Sequence, residues 1–77
     1  MKYSKHFLEL CQNLGESIKK YREEKGMTIN ELAEKTGIRK EYIRKIEQGN
    51  AYGMLLDKHL FKIAGALNIK VSVLLKF

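Results

Sequence analysis

Between residues 39 and 45 the chain reads Arg-Lys-Glu-Tyr-Ile-Arg-Lys, setting four cations, Arg39, Lys40, Arg44 and Lys45, against one anion, Glu41. Guanidinium and ammonium groups pair with phosphate oxygens and with the O6 and N7 edge of guanine. A glutamate accepts from the amino group of cytosine. Tyr42 and Gln48 add polar groups suited to phosphate oxygens, contacts that position a protein on a duplex without reading its sequence. The whole chain of 77 residues carries a net charge of +6, and a small basic domain is drawn to polyanions because each neutralised phosphate releases condensed counterions. Basic composition alone is common among proteins that bind no nucleic acid, so the argument rests on where the cations sit.

Other chemistries find no support in the residue pattern. His6 and Cys11 are five positions apart, about 140° around a helix, so they share no face for a metal or for a nucleophile and its base. His59 reads as a solvated or half-buried surface residue. The sequence shows no glycine-rich phosphate loop, no paired-carboxylate motif and no zinc-ligand cluster. The expectation is a non-enzymatic chain with no catalytic residue, no metal and no cofactor.

The elements that would position the basic cluster can be read from spacing. Ser4 can cap a helix carrying Phe7, Cys11, Leu14, Ile18 and Tyr21, a 4, 3, 4, 3 spacing that makes one apolar stripe. Gly15 interrupts that stripe, and the favoured reading is a short leading helix over 4–13 followed by a second over 15–25. A core role for the stripe is preferred to a dimer seam. Lys25-Gly26 ends it. Thr28 with Glu31 has the form of a capping box and opens a helix over 29–36, which buries Leu32, Ala33 and part of Ile29. Gly37 supplies a turn residue tolerant of positive φ.

A third helix over 39–48 follows, with Tyr42, Ile43 and Ile46 inward and Gly49 as its stop. Residues 50–56 read as a loop, and Asp57 can cap a helix over 58–67 that buries Leu60, Phe61, Ile63, Ala64 and Leu67. The tail, 69–77, fits either a strand or a short fifth helix through Val71, Leu74 and Leu75.

Two short helices joined by a turn of three or four residues with a glycine satisfy the requirements of a helix-turn-helix. A steep crossing needs a small residue on the first helix, here Ala33. The second helix must turn Ile43 and Ile46 back to the first, with Ile38 closing the turn, and must leave its other face open. That open face is the basic one. Its early positions, Arg39, Lys40 and Glu41, stand at the end that enters a major groove, and Lys45 joins them one turn on. Arg44, Tyr42 and Gln48 are better placed for phosphates. Thr28, at the head of the 29–36 helix, and Asn50, just past the 39–48 helix, complete the candidate DNA-binding set.

Residues 14–75 resemble the lambda-repressor-like (Xre, Cro/cI-type) helix-turn-helix family. The matching segments are LGESIKKYREEKGMTINELAEKTGI, EYIRKIEQGN and LFKIAGALNI, and the resembling span covers about four-fifths of the chain. The resemblance implies an all-α, compact five-helix domain over 14–77, with its motif at about 29–48 and residues 1–13 as an N-terminal helical extension. It implies binding of two-fold-related half-sites in double-stranded DNA as a homodimer, in the manner of a transcriptional repressor. It also implies a largely buried structural ion pair between Arg22 and Glu47. Three departures stand out. Ile29 replaces a glutamine that often grips a phosphate. No proline precedes the 58–67 helix, and the loop after Gly49 is about two residues longer than usual. Lys70 stands where a serine or threonine often opens the last helix.

The rival reading is an antitoxin-type or other protein-interaction module. It would bind a toxin or another regulator through the leading segment or the tail, leaving Phe7, Leu8, Leu10, Leu75 and Phe77 exposed. A membrane role is not expected, since the longest apolar runs fall far short of the roughly 20 residues that span a bilayer. The lone Cys11 and the absence of a signal-type apolar run near the start suit a cytoplasmic setting.

Overall fold

A computed structural model describes residues 4–50 and 59–75. Among the described residues there are five helices: α1 (Lys5–Glu24), α2 (Ile29–Thr36), α3 (Lys40–Glu47), α4 (His59–Leu67) and α5 (Val71–Leu74). There is no strand among the described residues. Among the described residues the fully enclosed side chains are Leu14 and Ile18 of α1, Leu32 of α2, Ile43 of α3, Ile63 and Leu67 of α4, and Leu74 of α5. Every helix contributes at least one of them, so none of the elements is held by propensity alone.

The leading segment differs from the expected break. Residues 5–24 form one uninterrupted helix, opened by Ser4, whose hydroxyl accepts from the Phe7 amide at 3.1 Å. Gly15 serves packing instead. A Cβ there would collide with the carbonyl oxygens of Ile46 and Glu47 at the end of α3, so its missing side chain lets α1 cross α3 at backbone contact. Cys11, Leu14 and Ile18 are buried along this crossing side. Past Lys25, Gly26 turns the chain out of α1 at φ +67°.

The capping box at α2 forms as the sequence suggests. The Thr28 hydroxyl accepts from the Glu31 amide at 3.0 Å, and the Glu31 carboxylate accepts from the Thr28 amide at 2.8 Å. Hydrogen bonding to Thr28, its backbone amide first and its side chain second, holds the Glu31 carboxyl below the usual carboxylate range. Gly37 ends α2 in the left-handed region at φ +74°. Thr36 then knits the turn together. Its buried hydroxyl donates to the Leu32 carbonyl at 2.8 Å and accepts from the Ile38 amide at 3.1 Å. Ile38 itself is buried, which closes the turn against the core.

Past the turn, α3 ends where the sequence places it, α4 turns one apolar residue outward and the tail is helical. Arg39 is the N-cap of α3, with extended backbone, and Gln48 its C-cap. Phe61, expected inside, is 67% exposed, because Leu60, Ile63, Ala64 and Leu67 already fill the inward arc of α4. The ambiguous tail is helical over Val71–Leu74, with Leu74 buried, Val71 half-buried and Leu75 exposed. An extended strand there would have no partner among the described residues. Asp57, residues 51–56 of the expected loop, and Phe77 lie outside the described residues.

Candidate nucleic-acid interface

The crossing of α1 over α3 is tied by Arg22 and Glu47. Arg22 Nε donates to Glu47 Oε2 at 2.7 Å and its terminal nitrogen donates to Oε1 at 3.1 Å, a two-pronged pairing. The other terminal nitrogen donates to the Met27 carbonyl at 2.8 Å. The two side chains are 9% and 6% exposed. Hydrogen bonding to Glu47 raises the Arg22 pKa against the opposing effect of burial. One arginine thus binds the loop before α2 and the end of α3 to the same point on α1.

With that crossing fixed, α3 turns Tyr42, Ile43 and Ile46 inward and keeps Lys40, Glu41, Arg44, Lys45 and Gln48 exposed. Their spacings of one, three, one and three positions make a continuous polar face. Arg39 is exposed at the head of the helix and makes no side-chain cap. Arg39 and Lys40 thus stand at the positive end of the α3 dipole, an arrangement that favours negative charge. Arg39, Lys40, Arg44 and Lys45 form no ion pair within 4.0 Å among the described residues.

This face divides into three parts. On the α4 side, Arg39, Glu41, Tyr42 and Lys45 line a shallow groove with His59. Tyr42 is half-buried there and meets the His59 ring edge-on, with centroids 5.1 Å apart. Toward α2, Arg39 and Lys40 border a cleft with Asn30, Ala33 and Glu34. On the far side, Arg44 and Gln48 line a groove with Lys19, Arg22, Ile29 and Glu47. A neighbouring hollow joins Arg44 to Thr28 and Asn30. Thr28 and Asn50 are both exposed, Thr28 at the head of α2 and Asn50 just beyond α3.

The structure thus gathers Thr28, Arg39, Lys40, Glu41, Tyr42, Arg44, Lys45, Gln48 and Asn50 around α3 and the head of α2. Sequence reasoning missed Lys19, whose only signal is its place three residues, one turn, before Arg22. It also missed Thr36 and the Met27 carbonyl, both of which act through backbone geometry that spacing does not announce. Among the described residues no group of three or more histidine, cysteine, aspartate or glutamate side chains is placed to hold a metal. Cys11 is buried, which pushes its thiol pKa up. Of the apolar residues in the leading segment and tail, Phe7 and Leu10 are half-buried, while Leu8 and Leu75 are exposed.

Two short helices locked by a left-handed glycine turn, the second offering a cationic face with no ion pair among the described residues, define a helix-turn-helix domain. Comparison with known proteins agrees. The helix-turn-helix family profile matches residues 18–74. The chain is 40% identical over 62 residues to the HTH-type transcriptional regulator SinR of Bacillus subtilis (strain 168), and equally to the protein of that name from Bacillus licheniformis. The match covers 80% of this chain and 55% of each relative, so the chain spans about half the length of the relatives it matches. The chain belongs to the lambda-repressor-like (Xre, Cro/cI-type) helix-turn-helix family.

Proposed function

We propose that this protein is a sequence-specific, double-stranded DNA-binding transcriptional regulator acting from the cytoplasm as a homodimer, and that it represses by occupying its operator. The observation that carries this reading is the exposed cationic face of α3, without an ion pair among the described residues and held in place by the Arg22–Glu47 pairing. In this arrangement α3 enters the major groove, head first. Arg39, Lys40, Glu41 and Lys45 read base edges, whereas Arg44, Tyr42 and Gln48 hold phosphates. Residues 14–77 form the DNA-binding domain and residues 1–13 its extension. Two copies would read half-sites about 34 Å apart.

No catalytic step and no cofactor enter this mechanism, because occupancy alone excludes other proteins from the site. The transcriptional-regulator names of the relatives support it over the antitoxin-type module. No helix among the described residues is long and apolar enough to cross a membrane.

The test is retention of random-sequence duplex DNA across a salt series, with recovery and sequencing of the bound fraction. Steep loss of binding with salt and an enriched inverted repeat are expected. Salt-steep binding with no enriched sequence would remove the regulator reading and leave only a basic surface.

A further inference from the structure

We propose that the groove between α1 and α3 holds a DNA backbone phosphate, clamped by Lys19 from one wall and Arg44 from the other; this rests on the DNA-binding reading above. The groove is lined by Lys19, Arg22, Ile29, Arg44, Glu47 and Gln48, three cations against one carboxylate. Arg22 and Glu47 satisfy each other across its base. The charge left over is that of Lys19 and Arg44, both exposed and neither in an ion pair within 4.0 Å among the described residues.

Their placement follows from helix geometry. Lys19 lies three residues before Arg22 on α1, and Arg44 three residues before Glu47 on α3, so each shares a face with its partner one turn on. The ion pair that fixes the crossing therefore also fixes the two cations on opposite walls of one groove. Gln48, four residues after Arg44, adds an amide donor on the same face. Ile29 contributes neither donor nor acceptor and leaves the groove without a competing anion. A phosphodiester suits this site better than a planar base edge, because two cations converging from different helices match a tetrahedral anion. The groove also borders the exposed face of α3, where a strand's backbone runs past a helix lying in the major groove.

The test compares the parent protein with Lys19→Ala, Lys20→Ala, Arg44→Ala and the Lys19→Ala/Arg44→Ala double variant. Binding to a fixed duplex and to an unrelated one is measured across a potassium chloride series. Lys20 is the control, since it carries the same charge one residue on, about 100° around α1, and stands over the Tyr21 ring, 5.5 Å from its centroid. Lys19→Ala should flatten the log–log salt slope by about one unit for both duplexes alike, and Lys20→Ala should flatten it by much less. The double variant should lose less than the sum of the two single variants, because both cations serve one phosphate. An unchanged slope in Lys19→Ala, an equal change in Lys20→Ala, or full additivity in the double variant would overturn the shared site while leaving DNA binding standing. A parent protein with no salt-dependent binding would overturn both.

Discussion

Replacing Glu47 by alanine removes both acceptors from an arginine that is only 9% exposed at its side chain and leaves it one bond, to the Met27 carbonyl. Breaking one side of a buried pair costs about 3–5 kcal/mol, since the remaining charge stays desolvated. The guanidinium keeps that carbonyl and a sliver of solvent, so the lower figure, about 3 kcal/mol, is the one to expect here. Domains of this length have total stabilities of about 4–12 kcal/mol, so the loss is a large fraction of the whole. In a thermal melt followed by far-ultraviolet circular dichroism it corresponds to a fall in Tm of about 12–24 °C, at about 4–8 °C per kcal/mol for a domain of this size. Arg22→Met should cost a comparable amount by stranding the carboxylate. Arg22→Met combined with Glu47→Leu should recover much of the loss, because an apolar pair of similar volume escapes the desolvation cost. A Glu47→Ala protein that melts within about 3 °C of its parent, less than 1 kcal/mol on the same scale, would refute the reasoning.

Gly15→Ala should destabilise by about 2 kcal/mol, because the added Cβ meets backbone oxygens of Ile46 and Glu47 that cannot retreat, and this outweighs the gain in helix propensity. Gly65→Ala, where nothing lies within 4 Å, should instead stabilise by about 0.5–1 kcal/mol; chemical denaturation of the two variants side by side checks the opposite signs. The lowered pKa of Glu31 makes its contribution to stability complete above the ordinary carboxylate value of about 4.3 and lost as pH falls through the folded value. Glu31→Gln should accordingly flatten the acid limb of a stability-against-pH curve, and an unaltered limb would mean the cap carries no titrating energy. Lys40→Ala should relax base preference at one position of the selected DNA motif, which sequencing of bound duplexes reads directly; an unchanged motif would remove Lys40 from base recognition.

The parts of this fold legible in the sequence are those written in local chemistry. Thr28 and Glu31 three residues apart announce the head of α2, and the apolar spacings of α2 and α3 leave few ways to pack them. Gly37 marks the turn between them because so few residue types accept its backbone. Gly15 misled because a glycine within an apolar helical stripe has two physical readings, a break or a close approach. Only the position of the Ile46 and Glu47 carbonyls separates them. Phe61 misled for a related reason, since apolar character does not say which residues of α4 find room inside. The tail was undecided because β-branched residues and a helical spacing pointed opposite ways, and burial of Leu74 against the other helices settled it. At the candidate interface the cationic face of α3 could be read from sequence. The groove that adds Lys19 could not, because it forms between helices brought together by residues 25 positions apart.

The central claim is that α3 is the surface that meets DNA. Its most direct test is a titration of isotopically labelled protein with a duplex recovered by selection, followed residue by residue by NMR. The account predicts the largest shifts at Arg39, Lys40, Glu41, Arg44 and Lys45, with further shifts at Lys19 and Thr28 along the groove beside α3. Shifts centred on Leu8 and Leu75, with α3 unmoved, would contradict it.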